Sequence, residues 1–212
     1  MKKIDLKKIG KVVKNTVNSP KNIFLRDHTE SLRPKWIVFM PTDRCNSRCR
    51  HCNIWQQTPT KNPLTLEEIE KTFSDPIFRD IKEVINTGGE PTLREDIEKI
   101  FLIEHKYFPK ATLQLSTNAI LPQFGFNLAK SLLDKGIKIS VGVSLDGVGE
   151  KHDYVRRIEG NFKKVDWLLC ELKKLGLNPV ISFTLSDLTA DNLAEVQEYG
   201  KKMGLDVFVQ WY

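Results

Sequence analysis

The chain has 212 residues, 40% hydrophobic and 28% charged, with a formal net charge of +6; this supports one domain with a sizeable core, somewhat above the commonest size of about 100–150 residues. Four unevenly placed cysteines exclude a disulfide framework, and neither an apolar signal core nor a hydrophobic run of about 18 residues is present, so a cytoplasmic, reduced protein is expected. The charge is concentrated: residues 1–35 hold ten Lys/Arg against Asp5, Asp27 and Glu30, a balance of +7 that leaves −1 for the remaining 177 residues.

Within that basic stretch Leu6, Ile9, Val13 and Val17 recur at helical spacing. They predict a partly helical extension over residues 1–35 that either lies outside the domain with its lysines in water or meets an anionic membrane surface or acidic partner. Nucleic acid is the weaker option, since no aromatic interleaving accompanies the charge. The core domain is expected over residues 36–212. Its first apolar run, Trp36–Met40, reads as a strand and leads into Cys45-Asn46-Ser47-Arg48-Cys49-Arg50-His51-Cys52. Thr65 and Glu68 form a capping box ahead of the first helix. A second strand over Glu83–Thr87 runs into Gly88-Gly89-Glu90-Pro91, and a third over Ala111–Ser116 into Ser116-Thr117-Asn118. Gly136 ends the next helix, and a fourth strand over Lys138–Leu145 carries Ser144-Leu145-Asp146-Gly147 at its end. Asn161 and Gly176 bracket a helix with Val165, Leu168, Leu169 and Leu172 on one face, while Gly204 stops a later one between strands over Asn178–Leu185 and Asp206–Gln210. Six strands and five clear helices in alternation predict a parallel α/β sheet, open or closed into a barrel.

Every unusual cluster falls at the C-terminal end of a strand, the edge where loops of parallel α/β folds converge on ligands. A [4Fe–4S] cubane closed by protein alone takes four cysteines. Cys45, Cys49 and Cys52 supply three within one loop, which leaves one iron open to a small molecule and implies chemistry at the metal.

Together, Cys-x3-Cys-x2-Cys, Gly88-Gly89-Glu90-Pro91, Ser144-Leu145-Asp146-Gly147, His152-Asp153-Tyr154-Val155-Arg156 and Gly160-Asn161-Phe162 resemble the radical S-adenosylmethionine superfamily over about residues 36–210. The likeness is greatest to the branch with the molybdenum-cofactor cyclase, sulfatase-maturing and peptide-modifying enzymes. It implies a partial (β/α)6 barrel of TIM type that ends at or near strand six. It also implies that Cys45, Cys49 and Cys52 hold three irons of a [4Fe–4S] cluster while S-adenosylmethionine chelates the fourth. An electron from a reductant such as flavodoxin or ferredoxin then cleaves the sulfonium to methionine and a 5′-deoxyadenosyl radical, which abstracts hydrogen from the substrate. By the same resemblance Gly88, Gly89, Glu90 and Pro91 form the turn that receives the methionine ammonium, with the two glycines giving close backbone approach. Asn118 and Asp146 serve the ribose, Ser144 the carboxylate or ribose, Arg156 (or Arg157 beside it) the carboxylate, and His51 stands near the adenine where relatives carry an aromatic residue.

Two alternatives remain: a zinc-binding structural site of cysteines and histidine, and an iron–sulfur electron-transfer protein with another fourth ligand. Cys170, on an apolar helical face, is expected to be a core thiol. His152 and Asp153 form either a loop-stabilising pair or an acid/base pair. Trp55, Gln210, Trp211 and Tyr212 are candidate borders of the substrate space. The substrate is a peptide or a small metabolite; Ile85, standing where the molybdenum-cofactor cyclase has arginine, counts against that enzyme's reaction. Strand six is expected to have an edge that a further segment or a partner covers.

Overall fold

The computed structural model describes residues 33–211. Residues 1–32 of the basic N-terminal extension, with its predicted amphipathic helix, and Tyr212 lie outside the described residues. Six strands, β1 (Trp36–Thr42), β2 (Glu83–Gly88), β3 (Thr112–Thr117), β4 (Ile139–Ser144), β5 (Val180–Leu185) and β6 (Val207–Trp211), form one sheet in that order, every neighbouring pair parallel. Helices α1 (Leu66–Phe73), α2 (Ile97–Tyr107), α3 (Pro122–Asp134), α5 (Asn161–Lys174) and α6 (Leu193–Met203) occupy successive crossovers, and a short helix, α4 (Glu150–Arg156), precedes α5. This is the expected (β/α)6 arrangement. The order is open between β1 and β6, which are not paired with each other.

Alternation along each strand separates two faces. Ile37 and Phe39, Val84, Leu113 and Leu115, Val141 and Val143, and Ile181 and Phe183 turn toward the helices and pack with Ile97, Ile100, Phe101, Leu132, Leu168 and Leu172. Phe39 meets Phe73 of α1 edge to face with centroids 5.4 Å apart. The other face lines the concave interior. There Gln114, Ser116, Ser140, Ser182, Thr184 and Gln210 surround Gly142 on β3 to β6, while Val38, Met40 and Ile85 make the β1–β2 side apolar. A Cβ on Gly142 would stand 3.1 Å from both Gln114 Nε2 and Ser182 Oγ, so the glycine leaves room for a hydrogen-bonding floor.

The predicted capping box closes α1: Thr65 Oγ1 accepts from Glu68 N, and Glu68 Oε2 accepts from Thr65 N. Gly136, Gly176 and Gly204 lie at the predicted helix ends, all with positive φ. The helix α4, read from sequence as loop, is only seven residues long. It begins after Gly149 at φ 62° and ends at Arg157 in the left-handed region, too short to show a hydrophobic period. Cys170 is half buried on α5 rather than fully enclosed.

One polar pair is sealed between sheet and helix. Asn86 Nδ2 of β2 donates to Glu104 Oε2 of α2 at 3.0 Å, both residues fully buried, while Asn86 Oδ1 and Glu104 Oε1 have no partner. Burial lifts the Glu104 carboxyl from 4.5 to about 8, and in its protonated form it has a hydrogen to give the amide oxygen. Below pH 4.5 the group is neutral in both folded and unfolded chains; above it the unfolded chain ionises first, so stability falls as pH rises toward 8 and then levels. Denaturant unfolding of Glu104→Gln should therefore match wild type near pH 4.5 and exceed it at pH 7 by on the order of 3 kcal/mol. Parallel pH profiles for the two proteins would contradict the assignment.

Candidate active site

The cysteine loop leaves β1 and is tied down from two sides. On one side Gly89 N donates to Thr42 O at 3.0 Å and Glu90 N to Arg44 O at 2.8 Å. On the other, Arg50 N donates to Val155 O at 2.9 Å and Ser47 Oγ to Arg156 O at 3.1 Å. Trp55 braces the loop from within, its Nε1 donating to Cys52 O at 2.7 Å; it is a strut of the cysteine loop rather than a border of the cavity. Cys45, Cys49 and Cys52 then line a cavity of about 330 Å³ at the C-terminal edge of the sheet. Burial pushes the Cys45 thiol up.

All the sequence-predicted site residues line this cavity except Pro91 and Asp146: His51, Gly88, Gly89, Glu90, Asn118, Ser144 and Arg156 join the three cysteines. Thr87, Ser116, Thr184, Gln210 and Trp211 also line it. Of these, Gln210 and Trp211 were anticipated, and Ser116 as part of the cluster that ends strand three; the hydroxyls of Thr87 and Thr184 were not.

The Gly-Gly turn is required by the cysteine loop itself. A Cβ on Gly89 would lie 2.1 Å from Arg44 O, and one on Gly88, at φ 108°, 2.9 Å from Thr42 O. The absent side chains thus make room for backbone behind the cavity, a reason distinct from approach to a ligand. Glu90 has its carboxylate fully engaged: Oε1 accepts from Thr92 Oγ1 (2.7 Å) and Thr117 Oγ1 (2.9 Å), and Oε2 from Asn118 N (2.7 Å). Burial raises its pKa against these donors. Pro91 is buried at the start of the turn after Glu90.

Asp146 departs most from its expected role. Its carboxylate is fully buried behind the cavity wall, taking Arg156 Nε at 2.6 Å and Thr184 N at 3.0 Å, with His51 Nε2 at 3.9 Å. It is a positioning residue for Arg156. The Arg156 side chain is 9% exposed, and its Nη1 reaches Cys49 Sγ at 3.7 Å. Ser47 Oγ lies 3.0 Å from the same sulfur, so Cys49 sits between two polar neighbours, of which the Arg156 guanidinium suits a thiolate. Arg157 points elsewhere, 5.9 Å from the Trp55 ring centroid, which leaves Arg156 as the arginine at the cavity. Asn118 Nδ2 donates to Asn46 Oδ1 at 2.9 Å, joining the third strand's loop to the cysteine loop.

His152 and Asp153 form a structural clasp rather than an acid/base pair. Burial lowers His152 to about 4, and its Nδ1 accepts from Asp146 N at 3.1 Å. The Asp153 carboxylate accepts from Gly160 N (2.6 Å) and Phe162 N (2.7 Å), capping α5. Burial likewise lowers the pKa of His51, keeping its imidazole neutral at the cavity.

The donor set fits an iron–sulfur cluster: three cysteines of one loop line the cavity, and a cubane takes each thiolate on a separate iron. Among the described residues no three His, Cys, Asp or Glu side chains come close enough together to hold one metal ion.

Comparison with known proteins agrees. The model of the Radical SAM superfamily matches residues 39–207. The GTP 3′,8-cyclase of Sulfurimonas denitrificans is 30% identical over 175 residues, which are 80% of this chain and 53% of that protein. The pre-heme d1 synthase of Dinoroseobacter shibae is 27% identical over 176 residues, 81% of this chain and 42% of its own. The chain thus spans about half the length of the curated relatives it matches. Among solved structures, Streptococcus suis SuiB bound to S-adenosylmethionine superposes with a TM-score of 0.69 at 17% identity, over 84% of this chain and 41% of SuiB. The enzyme anSMEcpe with bound AdoMet and a peptide gives 0.65 at 24% identity, over 84% and 50%. These two show the fold alone. With the family model covering well over half of the chain, including the cysteine loop and the whole of β2 to β5, the chain belongs to the radical SAM superfamily, enzymes that use a [4Fe–4S] cluster and S-adenosylmethionine.

Proposed function

We propose that Cys45, Cys49 and Cys52 hold a [4Fe–4S] cluster and that the adjoining cavity binds S-adenosylmethionine for reductive cleavage. The observation that carries this reading is the convergence of the three cysteines with Gly88, Asn118, Ser144 and Arg156 on one cavity at the C-terminal edge of the sheet. When bound, the cluster supplies one electron that splits S-adenosylmethionine into methionine and a 5′-deoxyadenosyl radical able to take hydrogen from carbon. The chain's own residues bind and orient. Carbonyls of the Gly88-Gly89 turn accept from the ligand's ammonium, and Arg156, held by Asp146, offers its remaining N–H groups to the carboxylate. Ser144, Thr184 and Asn118 provide neutral donors and acceptors for the ribose, and His51 stands as a neutral ring for the adenine.

The part of the substrate that enters the sheet is uncharged and hydrogen-bonding, as a peptide is. Supporting this, Glu83 is the one charged residue among the inward-facing strand positions described, and the floor offers amide and hydroxyl groups around Gly142. A second reading, a purine nucleotide, is favoured by the identity to the GTP 3′,8-cyclases. The test is anaerobic reconstitution, reduction and electron paramagnetic resonance with and without S-adenosylmethionine. A [4Fe–4S]⁺ signal that shifts on addition is expected. A signal indifferent to the ligand means electron transfer alone, and bound zinc without iron overturns the assignment. Formation of 5′-deoxyadenosine above the substrate-free rate, with peptides in one series and GTP in the other, separates the two substrate readings.

A further inference from the structure

Outside the cavity, the cysteine loop and the end of α4 beside it carry a concentration of positive charge. Arg44, Arg48 and Arg50 are all exposed, and no acidic side chain occurs between Arg44 and Gln57. Arg157, also exposed, lies over Trp55, the residue whose indole holds the carbonyl of Cys52. Arg50 stacks 3.9 Å from the centroid of the exposed Tyr154 ring and donates to Tyr154 O at 3.0 Å. None of the four lines the cavity, and none forms an ion pair among the described residues. General basicity does not account for the patch, because residues 36–212 sum to −1. Four cations therefore gather on the outer side of the loop that carries the thiols, on a unit that is otherwise slightly acidic.

We propose that this arginine collar is the docking surface for an acidic one-electron carrier protein of the flavodoxin or ferredoxin type. The proposal rests on the cluster assignment above. In the step it serves, the carrier loses one electron and the cluster gains one; no bond forms or breaks and no proton need move. An acidic partner is the occupant that complementary charge selects. Steering by such a patch speeds encounter by roughly 10- to 1,000-fold and fades as salt rises. Two of the arginines, Arg48 and Arg157, make no hydrogen bond that supports the loop's backbone, so their charge is separable from its fold.

The experiment is stopped-flow bleaching of the reconstituted cluster by reduced flavodoxin, in wild type, Arg48→Glu, Arg157→Glu and the double variant. A parallel series uses photoreduced deazaflavin, an uncharged donor. With flavodoxin at low ionic strength the double variant should be slower than wild type by about ten-fold or more, and its rate should lose most of the wild-type salt dependence. With the uncharged donor all four proteins should bleach alike. A double variant that accepts electrons from flavodoxin at the wild-type rate overturns the proposal. So does equal slowing with both donors, which would place the damage in the cluster site. Wild-type protein that assembles no cluster has no absorbance to bleach; that outcome overturns the cluster assignment itself and this proposal with it.

Discussion

Alanine at Cys45, Cys49 or Cys52 should abolish both the [4Fe–4S] signal and the reductive cleavage of S-adenosylmethionine, while Cys170→Ala keeps both. Each of the three cysteines lines the one cavity, and a cubane that loses a protein ligand already has one iron without a cysteine. The loop itself should survive the changes. Its anchors are backbone bonds to Thr42, Arg44 and Val155 and the hydroxyl of Ser47 on Arg156 O, all bonds to oxygen that remain when a thiol is removed. Circular dichroism and the unfolding midpoint should therefore stay near wild type while iron content collapses. Cys49→Ala is the most telling of the three, because Arg156 keeps its partner Asp146 when the sulfur is gone. Cys170 is half buried on α5, and burial raises its pKa, which makes it a quiet thiol remote from this chemistry. Loss of cleavage in Cys170→Ala comparable to that in the others would sink the assignment.

The largest expected effect on stability comes from Asp146→Ala. The carboxylate is fully buried and holds the buried guanidinium of Arg156 at 2.6 Å. Deleting one member of such a pair strands the other charge and costs about 3–5 kcal/mol, although replacing both by apolar groups is often nearly neutral. The change also removes the acceptor for Thr184 N. Asp146→Ala should thus lose on the order of 3–5 kcal/mol in urea. Adding Arg156→Met should restore a large part of the loss. Strictly additive single and double losses would show that the two side chains act independently, against the geometry.

Much of this fold was legible because strand and crossover alternate with little interruption, and because apolar pairs such as Val84, Leu113 and Leu115 sit at every second position. The cluster loop was legible from cysteine spacing, and its neighbours from the clusters ending strands two, three and four. Other features were hidden for physical reasons. The inward turn of Asp146 depends on an arginine ten residues later reaching back, which no local pattern encodes. The Asn86–Glu104 pair places polar residues at positions where periodicity demands apolar ones, which hides it from any pattern of hydrophobic spacing. Gly89 looked like a ligand cradle, and its closer constraint, the carbonyl of Arg44, comes from a segment 45 residues earlier. The substrate class was left between peptide and metabolite, because the neutral interior becomes evident only when inward positions from five strands are seen side by side.

The strictly sequential order of the sheet bears on how the protein comes to exist. Since β1 pairs only with β2, β2 with β1 and β3, and so on, each strand emerging during synthesis finds its partner already made, and pairing can advance in step with translation. The cysteine loop breaks that order. Its first anchors arrive with Gly89 and Glu90, soon after the loop itself, but Val155 and Arg156 follow only after more than a hundred residues of chain. A nascent chain therefore presents three thiols fixed on one side and open on the other until α4 is complete. The fourth βα unit is thus the segment whose arrival closes the pocket around the cysteine loop.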